Sequence, residues 1–295
     1  MIFIAGASGF VGGHLIDALL KSGYKLRCLA RSEKAQKLFN GRGIETVPGD
    51  ITMPETLDGA LNDIDFVIHL VGIMEEKGTV TFERVHVEGT KNLIAEAKRA
   101  GVKHFFYQSA LGANKESWSG YLRTKAEAEE IVKTSNMPYT IFRPSLIIGP
   151  WDGFTKKLME LIKMSPVIPV PGDGKSKFQP VYINDWVKCL LKVIESPEMF
   201  RGVFDIGGPQ HLTYNEIVST LADVMNMKKS IVHVPMGFMK LGASIAEKTI
   251  PFLPVTYDQL RLLEDDNICA ADSIEKAFIF NPVEYRKALK AFISY

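Results

Sequence analysis

Two short stretches carry residue types spaced for chemistry. The first is Gly6-Ala7-Ser8-Gly9-Phe10-Val11-Gly12, which follows an apolar run and precedes an amphipathic one. Its three glycines suit three jobs: a tight turn, a close backbone approach to a diphosphate, and close packing of helix on strand. A helix beginning near Phe10 would offer a phosphate its unpaired N–H groups and about half a positive charge. The spacing is G-x-x-G-x-x-G rather than G-x-G-x-x-G, so its weight comes from the strand before it and the helix after it. In that context Gly6 through Gly12 predict a dinucleotide-binding turn. Some 20 residues on, the second apolar run ends Leu29-Ala30-Arg31-Ser32 with no acid at its tip. An acid there would bond a ribose 2′-hydroxyl, whereas an arginine accepts a 2′-phosphate, so Arg31, with Lys34 nearby, favours NADP over NAD.

The second stretch is Tyr121-Leu122-Arg123-Thr124-Lys125. Its i, i+4 spacing puts Tyr121 and Lys125 on one helix face. A free phenol titrates near pH 10, and a neighbouring ammonium would favour the phenolate. Such a tyrosine can give a proton to a carbonyl oxygen or take one from an alcohol. Ser109 ends the preceding apolar run and is expected to hydrogen-bond the same oxygen, since ligands of an open α/β sheet bind at the carboxyl ends of its strands. With nine tyrosines in the chain, the spacing alone says little; its place after the fifth strand carries the weight.

The elements that must position these groups alternate. Strands are expected at Ile2–Gly6, Lys25–Arg31, Glu45–Gly49, Asp65–Gly72, Lys103–Ser109 and Tyr139–Ile148. Helices are expected at about Val11–Lys21, Glu33–Phe39, Pro54–Leu61, Thr81–Arg99 and Ser119–Thr134. Strand runs rich in Val, Ile and Phe that hardly alternate predict a parallel sheet covered on both faces. Gly23 and Gly101 fit left-handed helix ends, and Pro54 a helix start. After Pro150 the rhythm changes. Pro166 through Gly174 predicts a long ordered loop, Phe178–Ile183 a short strand, and Asn184 or Asp185 a cap for a helix to about Glu195. Val203–Ile206 predicts one more strand, and Thr213 with Glu216 a capping box. The expected fold class is therefore α/β, a Rossmann-type doubly wound parallel sheet with a smaller mixed C-terminal substrate lobe. Residues 1–150 would form the dinucleotide-binding domain, with returning segments at about 178–206, and the remainder of 151–295 the lobe.

Bulk composition narrows the function classes. The chain has 295 residues, 46% hydrophobic and 23% charged, with a net charge of +1. That length buries about 75% of the unfolded surface, and the charge balance gives no field to attract nucleic acid. Cys28, Cys189 and Cys269 are far apart, which suggests reduced thiols, no metal site and a cytoplasmic protein. No signal peptide is expected at the N-terminus. The run Phe66–Met74 is too short to span a bilayer, and the apolar stretch 236–255 is interrupted by Lys240, Glu247 and Lys248, so a lid or lobe helix is expected there and no transmembrane segment.

Together these residues resemble an extended or atypical short-chain dehydrogenase/reductase. The likeness is carried by Gly6-x-x-Gly9-x-x-Gly12, Asp50-Ile51, Leu70-Val71-Gly72, Ser109, Tyr121-x-x-x-Lys125 and Arg143-Pro144-Ser145, and extends to Phe178–Trp186. Ser109–Ala113, Tyr121–Glu129, Tyr257–Leu260 and Asp266-Asn267 most resemble the branch holding the dehydrogenase-like accessory subunit of mitochondrial complex I and its bacterial relatives. The resemblance implies Tyr121 as acid/base, Lys125 as the residue that holds the nicotinamide ribose and lowers the tyrosine pKa, and Ser109 as donor to the substrate oxygen. It also implies that Asp50 and Ile51 meet the adenine, while Leu70, Val71, Gly72, Pro144 and Ile147 line the dinucleotide. His86 departs from the pattern, standing where many relatives have asparagine.

The expected activity is an NAD(P)-dependent oxidoreductase or epimerase exchanging a hydride between nicotinamide and a hydroxyl or carbonyl carbon. The partner would be a small-molecule substrate of open class, met between the sheet's carboxyl edge and the lobe near Ile73, Phe154, Phe178 and Met236. The branch resemblance brings an alternative: a non-catalytic NADP(H)-binding protein with a structural, assembly or redox-sensing role, as a homodimer or in a larger complex.

Overall fold

The structure, a computed structural model, describes residues 1–237 and 257–293. In chain order the elements begin β1 (Ile2–Ala5), α1 (Phe10–Lys21), β2 (Leu26–Ala30), α2 (Glu33–Phe39), β3 (Glu45–Pro48) and β4 (Phe66–His69). A π-helical stretch, Glu83–Glu88, runs into α3 (Gly89–Arg99), followed by β5 (His104–Gln108), α4 (Gly120–Lys133) and β6 (Tyr139–Pro144). Then come β7 (Ile147–Ile148), α5 (Gly153–Met164), β8 (Ile168–Pro171), β9 (Lys177–Phe178), β10 (Val181–Tyr182), α6 (Ile183–Glu195) and β11 (Gly202–Ile206). The chain continues with β12 (Leu212–Thr213), α7 (Tyr214–Val224), β13 (Ile231–Val234), α8 (Tyr257–Leu262), α9 (Ser273–Phe278) and α10 (Tyr285–Phe292).

Residues fall into two compact units, Met1–Pro144 with Val187–Phe204, and Ser145–Trp186 with the chain from Asp205 onward. The first is built on a seven-stranded sheet of order β11-β6-β5-β4-β1-β2-β3. Pairing from β3 through β6 is parallel, with Ile4 opposite both Cys28 and Ile68. The order reverses between β1 and β4, the switch point where a doubly wound sheet opens a crevice at its strand carboxyl ends. Strands β1, β2 and β4 are buried along their whole length because helices cover both faces. Phe3, Val67, Leu93, Phe105, Tyr107 and Ile141 form the centre of that core.

Helix ends follow local chemistry. Ser32 and Ser119 cap α2 and α4 by accepting from Ala35 N–H and Leu122 N–H. Gly23 (φ +77°) closes α1 with Gly23 N–H on Leu20 O and Tyr24 N–H on Leu19 O, a pairing that needs a left-handed residue.

Several expectations are corrected. The helix expected over Pro54–Leu61 is a single 3₁₀ turn, Pro54–Leu57, because Gly59 at φ +74° turns the chain away. The run Tyr139–Ile148 is two strands: Ser145 N–H still goes to Ile206 O of β11, but Leu146 O accepts from Val181 N–H and the chain passes from the large sheet to the pairing of β7 with β10. Asn184 and Asp185 lie inside α6 rather than capping it, and the Asp185 carboxylate accepts from Val283 N–H at 2.7 Å. The loop expected over Pro166–Gly174 contains β8, paired in parallel with β13.

The second unit packs Ile162, Val170, Ile217, Leu221, Ala288 and Leu289. Most of the 236–255 stretch lies outside the described residues. Among those described, no helix is long and apolar enough to cross a membrane, and no His, Cys, Asp or Glu group could hold a metal.

Candidate functional site

The glycine turn closes tightly against its neighbours. Gly6 adopts φ +91°, and a Cβ on it would lie 2.9 Å from the backbone of Leu70 and Val71 at the end of β4. A Cβ on Gly12 would lie 2.5 Å from Gly6 O and 2.6 Å from Ala7 O. Both positions therefore exclude a side chain on steric grounds. Gly9 is the N-cap of α1 and supplies no side-chain acceptor, so the first-turn N–H groups of Phe10, Val11 and Gly12 have no side-chain cap. Ala7 is buried, and Ser8 and Gly9 are exposed. A diphosphate fits this cradle by the logic of helix N-termini.

Beyond the tip of β2 the Arg31 side chain is 70% exposed, with Nε 3.9 Å from Asp50 Oδ2. Asp50 Oδ1 accepts from both the Thr52 amide and its hydroxyl at 2.9 Å, which fixes the loop after β3. Ile51 is buried, its carbonyl accepting from Asn92 Nδ2 at 2.9 Å. Its side chain occupies the space a Cβ on Gly89 would need, 2.6 Å away. Gly89 is a packing position that a lone helical glycine in the sequence did not reveal.

Lys125 is buried on α4, and its ammonium donates to Gln108 O at 2.9 Å and lies 5.0 Å from the centre of the Tyr107 ring. A Cβ on Gly72 would come within 3.1 Å of Nζ, a tight contact with the flexible end of the lysine. Burial pulls the Lys125 pKa down to about 7, against a smaller opposing pull from Glu129. The phenol of Tyr121 behaves differently from the expectation that Lys125 would favour its ionisation. Burial pushes it up to about 12, and the ammonium is turned to Gln108 O. At neutral pH the side chain is a phenol.

His86 lies wholly buried in the π-helical stretch. Its Nε2 accepts from Ile73 N–H at 3.1 Å, and Nδ1 is 2.9 Å from Thr124 Oγ1. Since the Thr124 hydroxyl donates to Gly120 O at 2.8 Å, Nδ1 carries the proton and the ring is neutral. Burial, with the Lys125 charge, lowers the His86 pKa to about 2. The ring stacks on Phe82 (5.5 Å) and meets Tyr121 edge-on (5.7 Å). Both nitrogens are spent on the backbone of Ile73 and the first turn of α4, so His86 ties the strand end to the tyrosine's helix.

Ser109 Oγ is buried and makes no close hydrogen bond, though it lies near enough to Glu129 to help hold that carboxylate low. Glu129 is buried yet stays below the ordinary carboxylate range. Burial raises it, but Arg143 grips both oxygens at 2.7 and 2.6 Å and Lys133 adds a third donor at 3.1 Å. Glu129 extends the Tyr121, Lys125 face by one more turn, a signal the sequence contained. Pro144 O accepts from Leu111 N–H at 3.0 Å, whereas Ile147 belongs to the second unit, opposite Val181. Ile73 is in the first unit; Phe154, Phe178 and Met236 are in the second, where Phe178 is buried against Tyr214.

A parallel sheet reversing at β1 and β4, a three-glycine turn and a Tyr-x-x-x-Lys pair with its lysine buried define a Rossmann-type α/β protein. Residues 2–207 match the NAD dependent epimerase/dehydratase family, and the chain belongs to it. It is 30% identical over 248 residues to a ceramide reductase of Caulobacter vibrioides, covering 83% of this chain and 77% of that one. It is 28% identical over 282 residues to NADH dehydrogenase [ubiquinone] 1 alpha subcomplex subunit 9 of Arabidopsis thaliana, covering 92% and 70%, which agrees with the complex I branch resemblance. Its fold is that of a nucleoside-diphosphate-sugar epimerase from Staphylococcus aureus, with TM-score 0.78, 18% identity, and 98% and 99% of the two chains covered.

Proposed function

We propose that the chain is an NADP(H)-dependent oxidoreductase in which Tyr121 transfers the proton to or from a substrate oxygen. Bound nicotinamide would supply or accept the hydride. Burial keeps Tyr121 a phenol at neutral pH, which suits it to donate a proton to a carbonyl oxygen and so to work in the reductive direction. Lys125, held at the strand end by Gln108 O, is within reach of a ribose laid along Leu70–Gly72. Ser109, buried beside Glu129, would donate its hydroxyl to the substrate oxygen. Gly6 through Gly12 would take the diphosphate, Arg31 the 2′-phosphate, and Asp50 and Ile51 the adenine. Pro144 would complete the lining of the dinucleotide. The observation that carries the reading is the pairing of a half-buried tyrosine and a buried lysine, one helical turn apart, in the unit that holds the glycine cradle.

The test is NADPH oxidation with carbonyl substrates of two classes, long-chain lipid ketones and nucleoside-diphosphate keto sugars, by the wild type and by Tyr121→Phe. Loss of at least about 100-fold in turnover with unchanged NADPH affinity is expected for a proton donor. An undiminished rate eliminates the role. A second reading, structural nucleotide binding within a larger assembly, is favoured by the likeness to a complex I subunit. NADPH that copurifies and stays reduced with every carbonyl offered would support that reading instead.

A further inference from the structure

Trp151 follows β7 and precedes α5. Its side chain is 89% exposed and its backbone adopts φ +71°. That left-handed conformation strains an L residue and is one glycine takes freely. The turn is built rather than loose. Asp152, buried, accepts Gly149 N–H at 2.9 Å and Thr155 N–H at 2.6 Å, and its own N–H goes to Gly149 O at 3.2 Å. A firmly held backbone thus projects a large apolar ring into solvent, with burial and conformation both working against it.

The helix that follows is basic on its outer face. It buries Thr155, Leu158 and Ile162 and exposes Lys156, Lys157, Glu160 and Lys163. About 18 Å further along, Met164 is 67% exposed. There Lys229 donates to the carbonyls of Ile162 and Ser165 and fixes the end of the helix, with Lys228 exposed next in sequence. Two apolar groups therefore bracket a net positive strip. Indole favours a boundary where its ring meets apolar material and its N–H stays wet. Lysines near an anionic lipid surface are attracted to it, each adding to the binding.

We propose that Trp151 and the exposed face of Gly153–Met164 form a docking surface for an anionic lipid bilayer. The contact is peripheral, and its residues belong to the unit that does not contain the glycine turn.

Co-sedimentation of the full chain with phosphatidylcholine vesicles, with and without phosphatidylserine, tests it. At least about tenfold stronger partition onto the anionic vesicles is expected, weakening as salt is added. Trp151→Gly relieves the left-handed strain, so its Tm should not fall while its partition drops at least about tenfold. Lys156→Glu with Lys163→Glu should erase the preference for phosphatidylserine. All variants should bind NADPH as the wild type does, which separates this outcome from the fate of the proposed activity. Equal sedimentation with both vesicles, no sedimentation with either, or a Trp151→Gly chain that partitions like the wild type overturns the proposal. So does a Trp151-dependent dimer or acidic protein complex formed by a chain indifferent to lipid.

Discussion

Tyr121 and Lys125 share a helix face, yet burial moves them in opposite directions, the phenol up to about 12 and the ammonium down to about 7. Each shift favours the neutral form, as desolvation must. The pair was legible from its spacing; its protonation was not, because a sequence does not report that Lys125 turns its ammonium to Gln108 O. His86 shows the same divide. Its departure from asparagine was visible, but only the bonds to Ile73 and Thr124 show that both ring nitrogens are engaged. Arg31 is where residue chemistry makes a separable prediction. At 70% exposure its contact with a 2′-phosphate would be screened. Arg31→Ala should weaken NADPH binding by about tenfold, equivalent to about 1.4 kcal/mol, and leave NADH within about twofold. Titration of protein fluorescence with each cofactor measures this, and equal weakening of both would remove Arg31 from phosphate recognition.

At the scale of elements, strands buried on both faces and glycine-closed helices announce themselves, whereas elements defined by distant partners do not. Strand β8 reads Ile168-Pro169-Val170-Pro171, and two prolines in four residues look like loop. Proline survives in a strand only where its missing N–H is not needed, and here the strand pairs with β13 alone, some 60 residues away in sequence. The π-helical stretch at Glu83–Glu88, whose His86 stacks on Phe82, carries no local signal that separates it from the ordinary helix expected over Thr81–Arg99. The capping box was readable because it is wholly local. Thr213 Oγ1 accepts Glu216 N–H at 3.2 Å, while Glu216 Oε2 accepts Thr213 N–H at 2.7 Å. Thr213→Ala should cost about 1 kcal/mol and lower Tm by about 2 °C. Because the two bonds are reciprocal, adding Glu216→Ala should cost clearly less than the sum of the single changes. Calorimetry of the three variants decides it; simple additivity would mean the two bonds act independently.

For the whole molecule, buried neutral bases and a buried thiol set the pH range of stability. His69, His86 and His104 are all buried, and desolvation lowers them to about 3, 2 and 4. As pH falls below about 6.5 the unfolded chain takes up protons on these rings that the folded chain refuses, so stability is lost toward acid. Three such protons give a limiting slope of about 4 kcal/mol per pH unit. Lys125 acts in the same sense at higher pH: between about 7 and 10.5 the unfolded chain holds a proton that the folded lysine has released, so its contribution rises with pH. Cys28 acts in the opposite sense. Burial raises its thiol to about 12, so above about pH 9 the unfolded chain sheds a proton that the folded one keeps, and stability falls. The balance places the maximum at about pH 9 to 10, where the rise from Lys125 and the fall from Cys28 offset each other, alkaline of the range usual for proteins. Urea unfolding at intervals from pH 5 to 10 measures the curve. His104→Gln, which can keep the bond to Thr140 Oγ1, removes one of the three protons and should reduce the acid slope by about a third. Stability that is flat from pH 6.5 to 5, or a slope untouched by that substitution, would show that these histidines are protonated within the fold and that their burial does not govern its response to acid.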